Sequence, residues 1–333
     1  MRKKSFLSIY LSLLFSLSSS VTGYSQEKLE KIVFGVNGLS GPSAHGFIPK
    51  DSGLYEKYGL DVELVFFQAG TQLTQATLAG GVKIALTGGP EVVNARAGGS
   101  DMTIILGYMN TLPYSIVVDK SITKFEQLKG KSAAISRFGT TSDLAMRYAL
   151  EKNGLVPNRD VTIIQLGDQT TRFAALTNGT VQATVISPPF DITAKNLGYR
   201  ILADMADLGL PYQHASIATT DRFLRENPDT ARKFVRAFLA GIHLWVTDEK
   251  KTKEILARRL KISNSEILDE TYRAYRKLTE KKPYPTLKGL EFQIEDVAKK
   301  VPKAKGMKPE EFTNIAILKE LDQSGFIDNL YKK

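Results

Sequence analysis

FEQLKGKSAAISRFGTTSDLAMRYALEKNGL, residues Phe125–Leu155, reads as a strand, a tight turn and a helix in succession. Ser132–Ile135 is a small, apolar run after Gly130, the pattern of a strand covered on both faces in a parallel sheet. Ser136–Ser142 is a turn of small and hydroxyl-bearing residues. Asp143 opens a helix with Leu144, Met146, Tyr148, Ala149 and Leu150 near helical spacing, and Asn153-Gly154 stops it.

The start of that helix carries the first chemical signal. Its leading backbone N–H groups have no internal partner, and the aligned peptide dipoles leave partial positive charge there. Gly139 permits close approach, Ser136, Thr140, Thr141 and Ser142 add hydroxyls, and Arg137 adds a forked cation. Such a set suits a carboxylate, sulfonate or phosphate. The same residues also fit a plainer reading, in which Thr141 or Ser142 caps the helix and Arg137 lies in solvent.

Upstream, strands are expected at Leu29–Val36, Val62–Phe67, Lys83–Leu86, Met102–Leu106 and Tyr114–Val118, with short helices and Gly/Pro turns between them. Downstream the alternation repeats through strands at Val161–Leu166, Val181–Ile186 and Tyr199–Ala203. This predicts parallel α/β sheets. Leu78–Glu91 (LAGGVKIALTGGPE) and Leu176–Phe190 (LTNGTVQATVISPPF) resemble one another, each a helix end, a Gly stop, a strand and a turn before Pro. The likeness predicts two similar lobes. His214–Thr219 reads as a strand returning to the first lobe. Beyond it the chain is helical: from Asn227-Pro228 through Trp245, from the Ser263–Glu266 box to Leu278, over Leu287–Lys299 and over Glu310–Leu321.

Two lobes joined by crossings near Val118–Ser121 and Pro211–Ser216 imply a cleft. In open α/β sheets ligands sit beyond the strand carboxyl ends, so the turns Asn37–Ser40, Thr87–Glu91, Ser136–Ser142 and Ser187–Phe190 should converge there. The expected division is a secretory signal peptide at 1–25, one lobe from 26–118 with 216–333 including the C-terminal helices, and a second lobe at 119–215.

Bulk composition narrows the chemistry. The chain has 333 residues and no cysteine, which removes disulfides, thiolate metal sites and cysteine nucleophiles. Arg2, Lys3 and Lys4 precede an interrupted apolar run, Phe6–Leu17, and a small polar segment, the grammar of a cleaved export signal ending near Gly23 or Ser25. The formal charge of +10 falls by three with the signal. The remaining basic residues are mixed with acids, and the Lys/Arg-rich pieces at Lys250–Lys261 and Lys299–Lys308 read as solvated faces, so no nucleic-acid partner is expected.

The pieces KIVFGVNG, SGLYEKYGLDVEL, LAGG with GGPEVV, the Phe125–Leu155 stretch, SPPFDITAKNLGYRIL and TTDRFLRENPDTARKFVRAFLAG resemble, in order, the periplasmic solute-binding proteins of ABC importers of the nitrate/sulfonate/taurine type, which include binders of thiamine-pyrimidine precursors. The resemblance covers most of Lys31–Gly241. It implies a type II periplasmic-binding-protein fold with a hinge and a central cleft, and no catalysis and no cofactor. It also implies a small solute, anionic or heterocyclic, delivered in the periplasm to a membrane permease and its ATPase by a monomer. The contacts it implies are Asn37, Ser40, Gly89, Glu91, Ser136, Arg137, Thr140, Thr141 and Ser187. Many relatives carry an acidic residue where this chain has Lys83 and Gln182. Enzymes on related architecture form a pyrimidine with a histidine and a cysteine-rich motif, or cleave sulfinates with a cysteine, and neither cysteine requirement is met. A ligand-sensing domain for a membrane receptor is a further alternative.

Among single residues, Arg137 is the candidate for an anionic group, and Glu91 for a cationic one or for simple complementation of a helix dipole. Tyr108, Met109, Phe138 and Phe190 are candidates for the pocket wall or for packing. His45, His214 and His243 lack metal-ligand spacing.

Overall fold

A computed structural model describes residues 28–208 and 210–332. The signal-peptide reading of residues 1–25 lies outside the described residues.

The first half of the chain runs β1 (Glu30–Asn37), α1 (Ala44–Asp51), α2 (Leu54–Lys57), β2 (Leu60–Phe67), α3 (Gly70–Leu78), β3 (Ile84–Thr87), α4 (Gly89–Ala97) and β4 (Met102–Met109). The second runs β5 (Ser115–Val118), β6 (Lys131–Ile135), α5 (Thr141–Lys152), β7 (Val161–Gln165), α6 (Gln169–Thr177), β8 (Ala183–Ile186), α7 (Phe190–Asn196) and β9 (Arg200–Asp204). β10 (Ala215–Thr220) follows, then α8 (Asp221–Glu226), α9 (Pro228–Thr247), α10 (Glu249–Leu260), α11 (Ser265–Leu278), α12 (Leu287–Ala298), α13 (Ala316–Gln323) and α14 (Phe326–Tyr331).

Two five-stranded sheets result, ordered β2-β1-β3-β10-β4 and β7-β6-β8-β5-β9. The two orders are the same pattern used twice, as the internal likeness predicts. Neither sheet is wholly parallel, however. β10 runs antiparallel to β3 and β4, and β5 antiparallel to β8 and β9. Connectivity explains this. The four like-directed strands of each sheet end at the cleft, whereas a strand entered from the other lobe starts there and must run the opposite way.

For the same reason β5 belongs to the second sheet, which corrects its expected place in the 26–118 lobe. The first crossing therefore lies between Met109 and Ser115, not at Val118–Ser121. The two crossings run side by side: Met205 N–H donates to Tyr114 O (2.8 Å) and His214 N–H to Met109 O (3.0 Å).

The largest core lies on the first sheet under α1 and α9, where Phe34, Tyr55, Phe234 and Phe238 stack or meet edge-on. Buried Trp245 belongs to it, and buried His45 stacks on Trp245 at 4.2 Å. Tyr108 and Met109 are core as well. The second lobe packs α5 on one face of its sheet and α6 and α7 on the other.

The basic residues of Lys250–Lys261 do lie on the exposed or half-buried side of α10 and its C-cap, with Thr252, Ile255 and Leu256 buried on the other. One expectation for the helical region changes. The Glu310–Leu321 helix is split into a 3-10 turn, Pro309–Phe312, and α13, because Thr313 bridges to Ile104 and Asn314 N–H donates to Ile104 O (2.8 Å) at the edge of β4. The Lys83 ammonium donates to Gly80 O, and the Gln182 side chain donates to Gly179 O and accepts from Ser132 N–H on β6. The C-terminal helices also touch the second lobe. Tyr275 of α11 donates to Pro188 O (2.7 Å), Phe292 of α12 meets Tyr148 edge-on, and Lys300 stands 3.7 Å from Asp143.

Candidate functional site

Two hollows lie between the sheets and share a wall. The inner one is bounded by Glu91, Thr87, Thr140, Thr141 and His214. The outer one is bounded by Arg172, Gln169, Asp168 and Gln68. Asn37, Ser40, Tyr114 and Ser136 face both.

Most of the walls come from the carboxyl ends of strands. β1 ends in Asn37, and the loop after it folds back so that Ser43 Oγ accepts from Ser40 N–H and donates to Ser40 O, both at 2.8 Å. β6 ends before Ser136, whose hydroxyl lies 2.9 Å from both Thr140 Oγ1 and Ser142 Oγ. Gly139 has φ +80°, a left-handed turn that favours glycine. Thr140 is then the N-cap of α5, although its side chain bonds Arg137 O rather than a helix amide. β3 ends at Thr87, and Gly88 begins α4. A Cβ on Gly88 would press against Thr141 Oγ1 and Glu91 Oε2, so the first turn of α4 and that of α5 meet at this one small residue.

Six of the nine expected contacts therefore meet at the hollows: Asn37, Ser40, Glu91, Ser136, Thr140 and Thr141. Three do not. Gly89 faces away, donating to Gln213 O with Gln293 close behind it. Ser187 is sealed behind Gln169, which accepts its N–H at 2.8 Å. Arg137 is half-buried and lines neither hollow. Phe138 is exposed and lies under Arg147, and Phe190 packs against Phe173.

The cation at the site is instead Arg172, only 2% exposed, with Nε and Nη1 lacking any hydrogen-bond partner. Its signal in the sequence was its position. Arg172 and Leu176 are one helical turn apart and both buried, so an arginine stands on the inward stripe of α6. Burial lowers its pKa, while Tyr114 and Asp168 pull the other way. Tyr114 and His214, from the two crossings, were also missed. Their rings meet edge-on at 5.0 Å on the floor of the inner hollow.

The electrostatics are those of a dry site. Glu91 is buried, its Oε2 has no partner, and burial pushes its carboxyl up to about 7 against the pull of the nearby Glu91 and Thr141 amides. Burial raises Tyr114 to about 12 and lowers His214 to about 3, so both are neutral near pH 7. Neither His214 nitrogen has a partner. Buried polar groups are ordinarily bonded, since leaving one bare costs about 1–3 kcal/mol. Several such groups around two adjoining hollows mark a place prepared for a solute.

The relatives agree with this architecture. The protein named as binding protein YtlA of Bacillus subtilis is 23% identical over 256 residues, 74% of this chain and 76% of the relative. A protein named as an ABC transporter periplasmic binding protein of Brachyspira hyodysenteriae is 26% identical over 201 residues, 56% of this chain and 57% of the relative. Among solved structures, the alkanesulfonate-binding protein SsuA of Xanthomonas axonopodis pv. citri, bound to MOPS, superposes with a TM-score of 0.68 at 19% identity, over 88% of this chain and 98% of that one. Two repeated α/β lobes around a polar hollow are the fold of the periplasmic solute-binding proteins of ABC importers. The profile described as NMT1/THI5 like matches residues 43–251, and the chain belongs to that family.

Proposed function

We propose that this protein captures a small solute between its two lobes and delivers it, in the periplasm, to a membrane permease driven by an ATPase. It works as a monomer, without catalysis, after residues 1–25 have directed its export. The observation that carries the reading is the set of buried, unpartnered polar groups around two adjoining hollows, Glu91 Oε2 and both His214 nitrogens at one and Arg172 Nε and Nη1 at the other. A scaffold with no ligand to hold has no reason to bear that cost.

The buried guanidinium favours an oxyanion on the solute, a carboxylate or sulfonate, since a planar fork pairs with two oxygens at once. The alkanesulfonate-binding structural neighbour supports the same class. The paired crossings at Tyr114 and Met205 supply the hinge about which the lobes would open and close.

The test is a thermal-shift screen of the mature chain against nitrate, sulfonates, small carboxylates and pyrimidines. A true ligand raises the melting temperature steadily with its concentration, by mass action on the folded state. If no member of these classes moves the midpoint at millimolar concentration, the capture reading fails.

A further inference from the structure

We infer that the solute is a small zwitterion whose ammonium or N–H end faces Glu91 in the inner hollow and whose oxyanion end faces Arg172 in the outer one. This rests on the capture reading of the same hollows and assigns their polarity.

The inner end is already supplied with a carboxyl by the protein. Glu91 lies on the first turn of α4, and Thr141 opens α5 beside it. Two sets of helix N–H groups thus converge where an anionic ligand group would ordinarily be received, and the buried carboxyl of Glu91 fills that place. An oxyanion there would find the helix amides already taken by the Glu91 carboxyl. A donor would meet the free Oε2, neutral His214 and the hydroxyls of Thr140 and Thr141.

The outer end has the opposite character. Arg172 is buried with two unbonded nitrogens, and no ion pair joins it to any acid among the described residues. Asp168 stands in the same wall, but its Oδ1 accepts the Thr171 N–H at 2.8 Å and so caps α6. Gln169 is held to Ser187. Arg172 is thus the buried charge at this end with nitrogens unbonded, while Asp168, less buried and within electrostatic reach of it, is tied to the start of α6. Asn37, Ser40, Tyr114 and Ser136 line the passage between the ends, and Tyr114 lies within electrostatic reach of both Arg172 and Glu91. Each buried charge has one vacant partner position, and one dipolar molecule satisfies both.

The experiment is calorimetric titration of wild type, Glu91→Gln and Arg172→Gln with matched probes: straight-chain ω-amino carboxylates and ω-amino sulfonates of three to five carbons, the same acids lacking the amine, and the same amines lacking the acid. Circular dichroism and the ligand-free melting point confirm that each variant is folded. The best zwitterion should bind wild type at least about tenfold tighter than either half-molecule, about one charge-assisted bond. Glu91→Gln should weaken the zwitterion about tenfold while leaving the amine-free acid unchanged or tighter. Arg172→Gln should weaken both, the zwitterion by about a hundredfold.

If an amine-free acid binds as tightly as its zwitterion, and Glu91→Gln affects the two alike, the inference is overturned and capture of a plain oxyanion stands. Binding of an amine that survives Glu91→Gln undiminished overturns it too. If no probe binds and the wider solute screen is also silent, capture itself fails.

Discussion

Glu91 and Asp191 occupy equivalent places in the two lobes. Each lies on the first turn of the helix that follows a central strand, α4 after β3 and α7 after β8. Both are buried, and burial pushes both carboxyls up to about 7. Yet Asp191 is satisfied within its own lobe. Its Oδ2 accepts from the Ser115 hydroxyl at 2.9 Å and its Oδ1 from the Ile192 N–H at 2.8 Å. Glu91 has no such partner for Oε2 and opens onto the hollow. The same fold position thus serves packing in one lobe and recognition in the other. What differs is whether the neighbouring chain supplies the hydrogen bond.

The comparison is broken most directly by pH. An unfolded glutamate ionises near 4.5, whereas Glu91 in the folded protein keeps its proton to about 7. Between those values the folded state holds the extra proton, so Glu91 makes ligand-free stability fall as pH rises from about 4.5 to about 7, and then level off. The cost at pH 8 is on the order of 3 kcal/mol. Glu91→Gln should remove it. Urea midpoints of variant and wild type should coincide near pH 4.5 and diverge in the variant's favour up to pH 7. Parallel curves over that range would place the Glu91 carboxyl in water.

Asp191→Ala should do the reverse. At pH 6, where the carboxyl is protonated, the variant leaves the buried Ser115 hydroxyl without its acceptor and should lose about 2 kcal/mol of stability. Solute affinity should stay within about threefold, because Asp191 borders neither hollow. A variant of undiminished stability with crippled binding would exchange the roles of the two carboxyls.

A smaller effect separates the floor of the hollow from its walls. Gly88→Ala places a methyl against Thr141 Oγ1 and Glu91 Oε2, where the two lobes approach. Affinity should fall by about tenfold, some 1.4 kcal/mol, as the inner hollow is filled or the lobes are held apart. Titration with any ligand from the screen measures it, and unaltered affinity would mean that the lobes do not close on Gly88.

Much of this was legible before the structure. The strand–turn–helix at Phe125–Leu155 and the likeness of Leu78–Glu91 to Leu176–Phe190 both rest on local pattern, and the identical strand orders follow from that repetition. Sheet membership of Ser115–Val118 was not legible. A short apolar run reads the same in either sheet, and its place is set by where the chain crosses. The site divided along the same line. Turn residues such as Ser136 and Thr140 announce themselves by composition at a strand end. Arg172 and His214 reach the hollow only through tertiary placement, one from the inner stripe of α6 and one from a crossing strand, so Arg137, nearer to the conspicuous turn, drew the assignment instead.

That contrast between the two arginines gives the mildest prediction. Arg137 lies in the turn after β6, half-buried with its Nε unpartnered, and its side chain lines neither hollow. Its backbone does serve the site, since Arg137 O accepts from the Thr140 hydroxyl at 2.7 Å, and that bond survives any change of side chain. Arg137→Ala should therefore weaken an anionic ligand by less than about threefold, under 1 kcal/mol, which is the residue of long-range attraction in a partly solvated setting. Raising the salt from 50 to 500 mM should erase even that difference, whereas the loss in Arg172→Gln should persist because a buried charge is screened far less. A tenfold, salt-insensitive loss in Arg137→Ala would mean that the turn after β6 rearranges on binding to bring this second guanidinium inside.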